Sequence, residues 1–321
     1  MTVDKLYDLY NNNLSSILTP YMLATISDRS YDIHGFNLIN RLLIYIQNKY
    51  TTSLKSDSGW DVIGRSVKSK SSPIWVIENI IKTEYVDPDT SETISESELP
   101  MADIGKAVEL GVIKRVKTVT GLKCVPLYNV KDTTVFDKNL YKMYIANEQS
   151  SVKISTLLEI AVNDFGLECR KANKNSVYDE NRNILFIGND DSYLKIKTIA
   201  RAIASQIDYN NIIDDIEGID DENLEKFARL TKLFMQESIT SYCNKEYYVE
   251  ATIFSEIETI NFEDDDTRGF VSMLSTAYDF VEELICLMNP NNHKISESTL
   301  RKAAELLSIL EANEAIMQLK G

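Results

Sequence analysis

The stretch at residues 40–76, NRLLIYIQNKYTTSLKSDSGWDVIGRSVKSKSSPIWV, decides the fold that the sequence predicts. It begins as an apolar-rich helix, passes through a polar loop and a Gly-Arg turn, and ends in a strand of β-branched and aromatic residues. This order of elements places cations beside aromatic faces. Such a combination suits a nucleic-acid backbone and its bases better than a small metabolite.

The first half of the chain is predicted to be helices followed by strands. Apolar residues that recur every three or four positions predict the helices, and Pro20 starts a second short helix within the first range. Gly111 ends the last helix of this half, and Gly121 is predicted to reverse a hairpin. In chain order, the predicted elements are helices at 3–27 and 35–49, a strand at 73–86, a helix at 101–110 and a hairpin at 112–128.

The second half is predicted to be mostly helical, with one hairpin that turns at residues 181–183 and a helix capped by Asp190 or Asp191. The whole is therefore predicted to be α+β, with N-terminal helices and a small antiparallel sheet at 1–135 and a helix-rich domain at 150–321. The predicted helices of the second half occupy 152–165, 192–207, 222–245, 246–260, 267–288 and 296–318.

Composition indicates a globular chain whose negative charge is unevenly distributed. Its 321 residues are 44% hydrophobic and 26% charged, enough for two domains that each bury a core. The net charge is −15, of which residues 1–150 contribute −1 and residues 151–321 contribute −14. Charge therefore argues against nucleic acid only in the second half. Neither a membrane span nor a leader is apparent, which predicts a soluble, cytoplasmic protein with no membrane partner.

The four cysteines have no short spacing between them. Free, buried thiols are therefore predicted instead of a disulfide framework or a zinc knuckle.

Two basic clusters and the two tryptophans form the candidate nucleic-acid site. The loop between positions 62 and 77 is cationic because it contains no acidic residue. A basic loop is either a solvated surface or a phosphate contact, and a tryptophan is either a core residue or a face on which a base stacks. Both alternatives stay open from the sequence. The candidates are Trp60, Arg65, Lys68, Lys70 and Trp75 in the first cluster, and Lys114, Arg115 and Lys117 in the second.

The same stretch resembles a known family, the ArdC antirestriction proteins, in its N-terminal module. The matching residues are Asn40, residues 42–44, Gln47, Trp60, Ile63, Gly64, Arg65, Val67 and Lys68. Plasmids, conjugative elements and phages carry proteins of that family. The resemblance implies a module that binds single-stranded DNA, followed by a zincin-like domain similar to zinc metallopeptidases.

The predicted peptidase helix lacks the motif of that family. In HExxH, two histidines one helical turn apart bind zinc and the glutamate activates a water molecule. The resemblance puts Arg201, Ala202 and Ser205 in those three positions, with Glu237 in the place of the third ligand. A degenerate zincin domain without metal, cofactor or catalytic residues is therefore predicted. Arg201 and Glu237 either pair across this site or are unrelated surface charges.

Three functions stay open from the sequence. The first is a non-catalytic antirestriction protein of a mobile element or phage that binds single-stranded DNA through its N-terminal domain. The alternative is a protein inhibitor that binds a host defence factor through the acidic C-terminal domain. The third, an enzyme with unrecognised chemistry, has no nucleotide-binding or hydrolase motif in its support.

Overall fold

The structure is a computed structural model that describes residues 1–29, 36–94, 107–108, 110–142, 152, 154–207 and 221–288. It confirms the α+β class, with N-terminal helices, a small antiparallel sheet and a helix-rich second half. Among the described helices, none combines the length and the apolar character that crossing a membrane requires.

Three helices open the chain, and each begins at a side-chain cap. Thr2, Thr19 and Asn37 accept hydrogen bonds from backbone N–H groups of the first turn, which lack partners inside the helix. Pro20 occupies the first turn of the second helix, as predicted. The helices are α1 (Val3–Ile17), α2 (Pro20–Ser27) and α3 (Leu38–Gln47).

Antiparallel strands follow, and two of them are long. The elements are β1 (Leu54–Lys55), α4 (Asp57–Val62), β2 (Arg65–Val67), β3 (Ile74–Val86), β4 (Thr93–Ile94), β5 (Lys114–Asn129), a 3-10 turn (Val130–Asp132) and β6 (Thr133–Val135). The larger sheet has the order β1-β5-β3-β4, and β2 pairs separately with β6. Since β3 and β5 pair along the whole length of β3, they set the long dimension of this sheet.

The hairpin predicted at residues 112–128 is wrong, because β5 is one continuous strand. Gly121 does not reverse the chain but lies opposite Ile80, and the register shifts just beyond it, so that Thr120 is an extra residue on β5. The Thr120 hydroxyl donates to the Ile80 carbonyl at 3.1 Å. A glycine within a strand pattern marks a bulge as readily as a turn, and here the long partner strand keeps the chain extended.

The described part of the second half contains a three-stranded sheet beside four α-helices. The elements are α5 (Ile154–Asn163), β7 (Glu168–Lys171), β8 (Val177–Asp179), β9 (Ile184–Ile187), α6 (Ser192–Ala204), α7 (Asp221–Cys243), a 3-10 helix (Ala251–Thr259) and α8 (Asp264–Met288). The central strand β9 is parallel to β7 and antiparallel to β8. Asn183 takes a φ of 54° in the predicted turn, and Asp191 caps α6.

Two helix predictions of this half need comment. The helix predicted at 246–260 is a 3-10 helix that is interrupted at Phe254, where the backbone leaves helical angles. The helix predicted at 296–318 lies outside the described residues, as does most of the helix predicted at 101–110.

One large hydrophobic core joins the first helices to the last ones. Buried residues of α1, α2 and α3 belong to the same cluster as those of α7 and α8. Arg29, which follows α2, is 0% exposed and donates from Nη1 to the Tyr278 hydroxyl at 2.9 Å and to the Glu282 carboxylate at 2.5 Å. The N-terminal helices are thus built into the helix-rich half, and the division into two domains between 135 and 150 stays a prediction.

Candidate functional sites

Two amide side chains of α3 hold the edge of β3. Asn40 donates to the Ile77 carbonyl at 2.7 Å and accepts the Ile77 N–H at 2.8 Å. Gln47, two turns later, makes the same pair with Trp75 at 2.8 and 2.9 Å. Because alternate residues of an antiparallel strand point to opposite edges, these backbone groups face α3 and not β5. The amides replace a neighbouring strand, so two residues of the ArdC-like pattern fasten the helix to the sheet.

Trp60 and Arg65 are also structural residues. Trp60 is 1% exposed, and its Nε1 donates to the Tyr128 carbonyl at 2.8 Å. Arg65 is 9% exposed and donates to the Thr133 hydroxyl at 2.6 Å and to the Val130 carbonyl at 3.2 Å. A buried indole offers no face to a base, and a guanidinium that binds the 3-10 turn is not free for a phosphate. The structure therefore removes both residues from the predicted nucleic-acid contacts.

The backbone at position 64 requires glycine. The φ of Gly64 is +79°, a region that favours glycine, and its carbonyl accepts the N–H groups of Phe136 and Asp137. A Cβ added at this position would lie 2.5 Å from the Asp137 carbonyl oxygen. The close approach brings the Tyr141 ring to 4.5 Å from the Arg65 guanidinium.

The remaining members of the first basic cluster lie at the surface. Lys68 and Lys70 are exposed in the loop between β2 and β3, and Lys68 Nζ donates to the Lys131 carbonyl at 2.6 Å. Trp75 is half-buried and packs against the large core. The first cluster therefore presents two lysines and part of one indole.

The outer parts of β3 and β5 form a two-stranded ribbon, defined as residues 79–86 and 114–122. Its register places Tyr85 opposite Arg115 and Thr83 opposite Lys117, so these four side chains share one face. No acidic residue lies on this face of the paired strands, and no described carboxylate pairs with Arg115 or Lys117. We call it the cationic face, and it consists of Asn79, Ile81, Thr83, Tyr85, Arg115, Lys117, Val119 and Leu122.

Two of the three lysines on or beside the opposite face of the ribbon are paired with carboxylates. Lys82 lies 2.8 Å from the Glu84 carboxylate, and Lys123, just inside the ribbon, lies 3.4 Å from Glu78. The hydrogen bond to Glu84 raises the pKa of Lys82. Lys114 lies on this opposite face, across from Val86. The second predicted cluster is therefore split, with Arg115 and Lys117 together and Lys114 on the other side.

The two predicted basic clusters do not form one patch. Lys68 and Lys70 precede the inner end of β3, whereas Arg115 lies opposite Tyr85 near its outer end. At the ordinary rise of a strand, roughly 35 Å separates them. Tyr85 was missed in the sequence analysis, although the alternation along 73–86 combined with the β5 register would have placed it beside Arg115.

The four residues predicted for the degenerate metal site do not face one common site. Ala202 is fully buried in the core, Ser205 is the C-terminal cap, and Arg201 is exposed. Glu237 of α7 is 0% exposed, and its ion-pair partner is Lys197, with Nζ 3.3 Å from Oε1. The alternative in which Arg201 pairs with Glu237 is therefore wrong, because the residue one turn earlier on α6 reaches the carboxylate.

Three donors surround the Glu237 carboxylate. Gln236 Nε2 donates to it at 2.8 Å, the Tyr247 hydroxyl donates to its second oxygen, and Lys197 supplies the charge. Burial raises the pKa of Tyr247, and the hydrogen bond to Glu237 raises it further. Burial alone would lower the pKa of Lys197, but Glu237 and Tyr193 outweigh that effect and raise the pKa. At neutral pH, Lys197 is therefore an ammonium and Tyr247 a neutral phenol.

Three residues of α6 share the spacing of the HExxH motif. Lys197, Thr198 and Arg201 occupy positions i, i+1 and i+4, and all three line a cavity of about 330 Å³ that extends to β8 and α7. These residues do not fit a zinc ion, because zinc takes imidazole, thiolate or carboxylate ligands and they offer an ammonium, a hydroxyl and a guanidinium. Within the described ranges, no three His, Cys, Asp or Glu residues form a group that could hold a metal. His34 and His293 lie outside those ranges.

Comparisons with known proteins give structural likeness alone. No protein-family model and no curated protein matches the sequence. Two solved structures of the antirestriction protein ArdC from plasmid R388 are similar. The metal-free form has 11% identity and a TM-score of 0.40 over 87% of this chain and 98% of that one. The Mn(II)-bound form has 10% identity and a TM-score of 0.39 over 81% of this chain and 86% of that one. No residue role is transferred at this level of likeness.

Proposed function

We propose that this chain is a non-catalytic, antirestriction-type protein that binds single-stranded DNA through the cationic face of its ribbon. The observation that supports this most is the sorting of charge between the two faces of one two-stranded element. Lys82 and Lys123 on the opposite face have carboxylate partners, which leaves Lys114 as the one unpaired cation there, whereas Arg115 and Lys117 on the cationic face both have none among the described residues. Unpaired cations at an exposed ribbon are suited to phosphate contacts.

Tyr85 gives the cationic face an aromatic surface. It lies between Thr83 and the end of β3, opposite Arg115, and is half-exposed. A base that stacks on the tyrosine would place its phosphate within reach of the neighbouring guanidinium, since stacking platforms beside cations are the usual way to bind single strands. Lys68 and Lys70 would contact the DNA only if the DNA strand follows β3 toward its inner end for about 35 Å.

A non-catalytic role for the second half agrees with the side chains around Glu237. The positions that face this carboxylate hold an ammonium and a phenol, and neither is a metal ligand or a base at neutral pH. The antirestriction role itself rests on the resemblance of residues 40–68 to the ArdC module. By that resemblance, covering the DNA of a mobile element or phage would protect it from host defence.

The test is a fluorescence-anisotropy titration of a labelled single-stranded oligonucleotide at low salt. The variant Arg115→Gln with Lys117→Gln should weaken binding roughly tenfold or more, since each lost cation removes a phosphate contact. The matched control, Lys82→Gln with Lys123→Gln, removes the same charge from the other face and should bind as the unmodified protein does. Equal losses in both variants would contradict a face-specific site. Absence of binding to any strand would instead favour a protein inhibitor that acts through the acidic second half.

A further inference from the structure

The cavity beside α6 has a charge pattern that the proposed DNA site does not use. Lys197 and Arg201 lie one helical turn apart on the same wall, with Thr198 between them. Tyr178 of β8 also lines the cavity, close enough to Arg201 for the guanidinium to offset part of the rise that burial causes in the pKa of the phenol. The cavity is thus a concave site lined by two cations of one helix and an aromatic ring, far in sequence from the ribbon.

The two cations differ in how they are compensated. Lys197 is 3.3 Å from the buried Glu237 carboxylate, which neutralises it and fixes its position. Its Nζ also donates to the Tyr193 hydroxyl at 3.3 Å, so one of its three N–H groups is left for a ligand. Arg201 has no carboxylate within ion-pair distance among the described residues, so its N–H groups are open to a ligand.

Three carboxylates lie near cavity residues and limit where an anion can bind: Asp190 is next to Ser176, and Asp179 and Glu180 act on the Tyr178 phenol. Asp190 accepts the backbone N–H of Ser176, a cavity residue, and the side-chain hydrogen bond with Ser176 lowers the pKa of Asp190. Asp190 therefore stays ionised and repels an anion at the Ser176 end. The favourable position for negative charge is at the α6 wall, between Lys197 and Arg201.

Apolar side chains line part of the remaining cavity, and Gln236 of α7 lines it as well. Val177 and Leu194 line it together with the Tyr178 ring. A volume of about 330 Å³ is larger than an inorganic ion needs and falls in the range of sites for small organic molecules. The Tyr178 hydroxyl is held by Gln206 at 2.8 Å and donates to Asn183 at 2.9 Å, which fixes the ring in place.

We infer that this cavity binds a small organic oxyanion, with a carboxylate or phosphate group on Arg201 and Lys197 and an apolar body against Tyr178, Val177 and Leu194. A cation is disfavoured, because Lys197 already occupies the one buried carboxylate that would attract it. Arg201 offers the two parallel N–H groups that carboxylate and phosphate oxygens accept. The inference concerns residues of the second half and does not depend on DNA binding by the ribbon.

The experiment is isothermal titration calorimetry of the full chain with three probes that share one ring: benzoate, phenyl phosphate and benzyl alcohol. The two anions distinguish a carboxylate from a phosphate ligand, and the neutral alcohol tests the need for charge. At least one anion should bind and the alcohol should not. Arg201→Gln should weaken anion binding roughly tenfold, because a charge-assisted hydrogen bond is lost.

Lys195→Gln is the matched control, since it removes one positive charge from the same helix outside the cavity. It should leave anion binding within about twofold of the unmodified protein, as expected for a charge that makes no contact. The inference is overturned if neither anion binds at millimolar concentration, if the alcohol binds as well as the anions, or if both variants lose the same affinity. Because Arg201 is exposed, its replacement leaves the fold intact, and circular dichroism of each variant verifies this.

Discussion

Replacing Lys197 by methionine tests whether its ammonium stabilises the buried Glu237 carboxylate. The side chain keeps its length and its apolar stem but loses the ammonium that lies 3.3 Å from Glu237. Glu237 then keeps two hydrogen-bond donors, Gln236 and Tyr247, but no positive charge. The variant therefore leaves a fully buried carboxylate without its counter-ion.

The size of the effect follows from the burial of the two partners. Removing one partner of a fully buried ion pair costs about 3–5 kcal/mol of unfolding free energy. Since the Lys197 side chain is 32% exposed, solvent screens part of the interaction, and the two remaining donors stabilise the carboxylate. We expect a loss of about 2–3 kcal/mol for Lys197→Met. The pair stabilises fully at neutral pH, because the raised pKa of Lys197 keeps it charged until the solution becomes strongly alkaline.

The assay is urea unfolding at pH 7, followed by circular dichroism, as a double-mutant cycle. Adding Glu237→Gln to Lys197→Met removes the unpaired charge and should recover at least about 1 kcal/mol. If Lys197→Met costs less than about 0.5 kcal/mol, or if the two single losses simply add, the ammonium does not compensate Glu237 and the reasoning fails.

Four further substitutions test three other parts of the structure. Gly64→Ala should cost roughly 3 kcal/mol or more, since its Cβ would meet the Asp137 carbonyl at 2.5 Å, whereas Gly166→Ala, with a φ of +61° and open space, should cost only about 1 kcal/mol in the same urea assay. Asn40→Leu leaves the Ile77 N–H and C=O without partners and should lower the unfolding free energy by about 2–4 kcal/mol; unchanged stability would mean that α3 does not hold β3 through this amide. Burial raises the pKa of the Cys243 thiol to about 12, so the folded chain keeps a proton that the unfolded chain loses near its ordinary value. Stability should therefore fall between pH 9 and 12 by up to about 4 kcal/mol, and Cys243→Ala should show a shallower alkaline decline when melting temperature is followed against pH.

Helix and strand positions were largely predictable, because periodicity and caps are local signals. Pro20 at the start of α2 and Asp191 at the cap of α6 were both found from the residues alone. The bulge beside Gly121 was not found, because a turn and a bulge can have the same local sequence. Only the length of the partner strand distinguishes them. The break at Phe254 likewise reflects tertiary packing that an amphipathic pattern does not encode.

The candidate sites were predictable by region but not by residue. The run of residues 60–65 looked like a nucleic-acid contact because it combines an aromatic ring with a cation, and the structure uses both to bind backbone carbonyls. The residue types alone do not show whether the ring and the cation contact nucleic acid or the protein backbone, because that depends on whether the two side chains are buried. On α6, the resemblance selected Arg201 to Ser205, but the orientation of the helix relative to α7 brings Lys197 to Glu237. That orientation depends on packing between elements far apart in sequence.

The salt dependence of single-strand affinity tests the central claim most directly. The logarithm of the binding constant should fall linearly with the logarithm of salt concentration, with a slope of about −0.7 for each phosphate contact. Replacing Arg115 and Lys117 together should make the slope shallower by roughly 1.4, while replacing Lys82 and Lys123 should leave it unchanged. A slope that is the same in all three proteins would contradict the assignment of DNA binding to the cationic face.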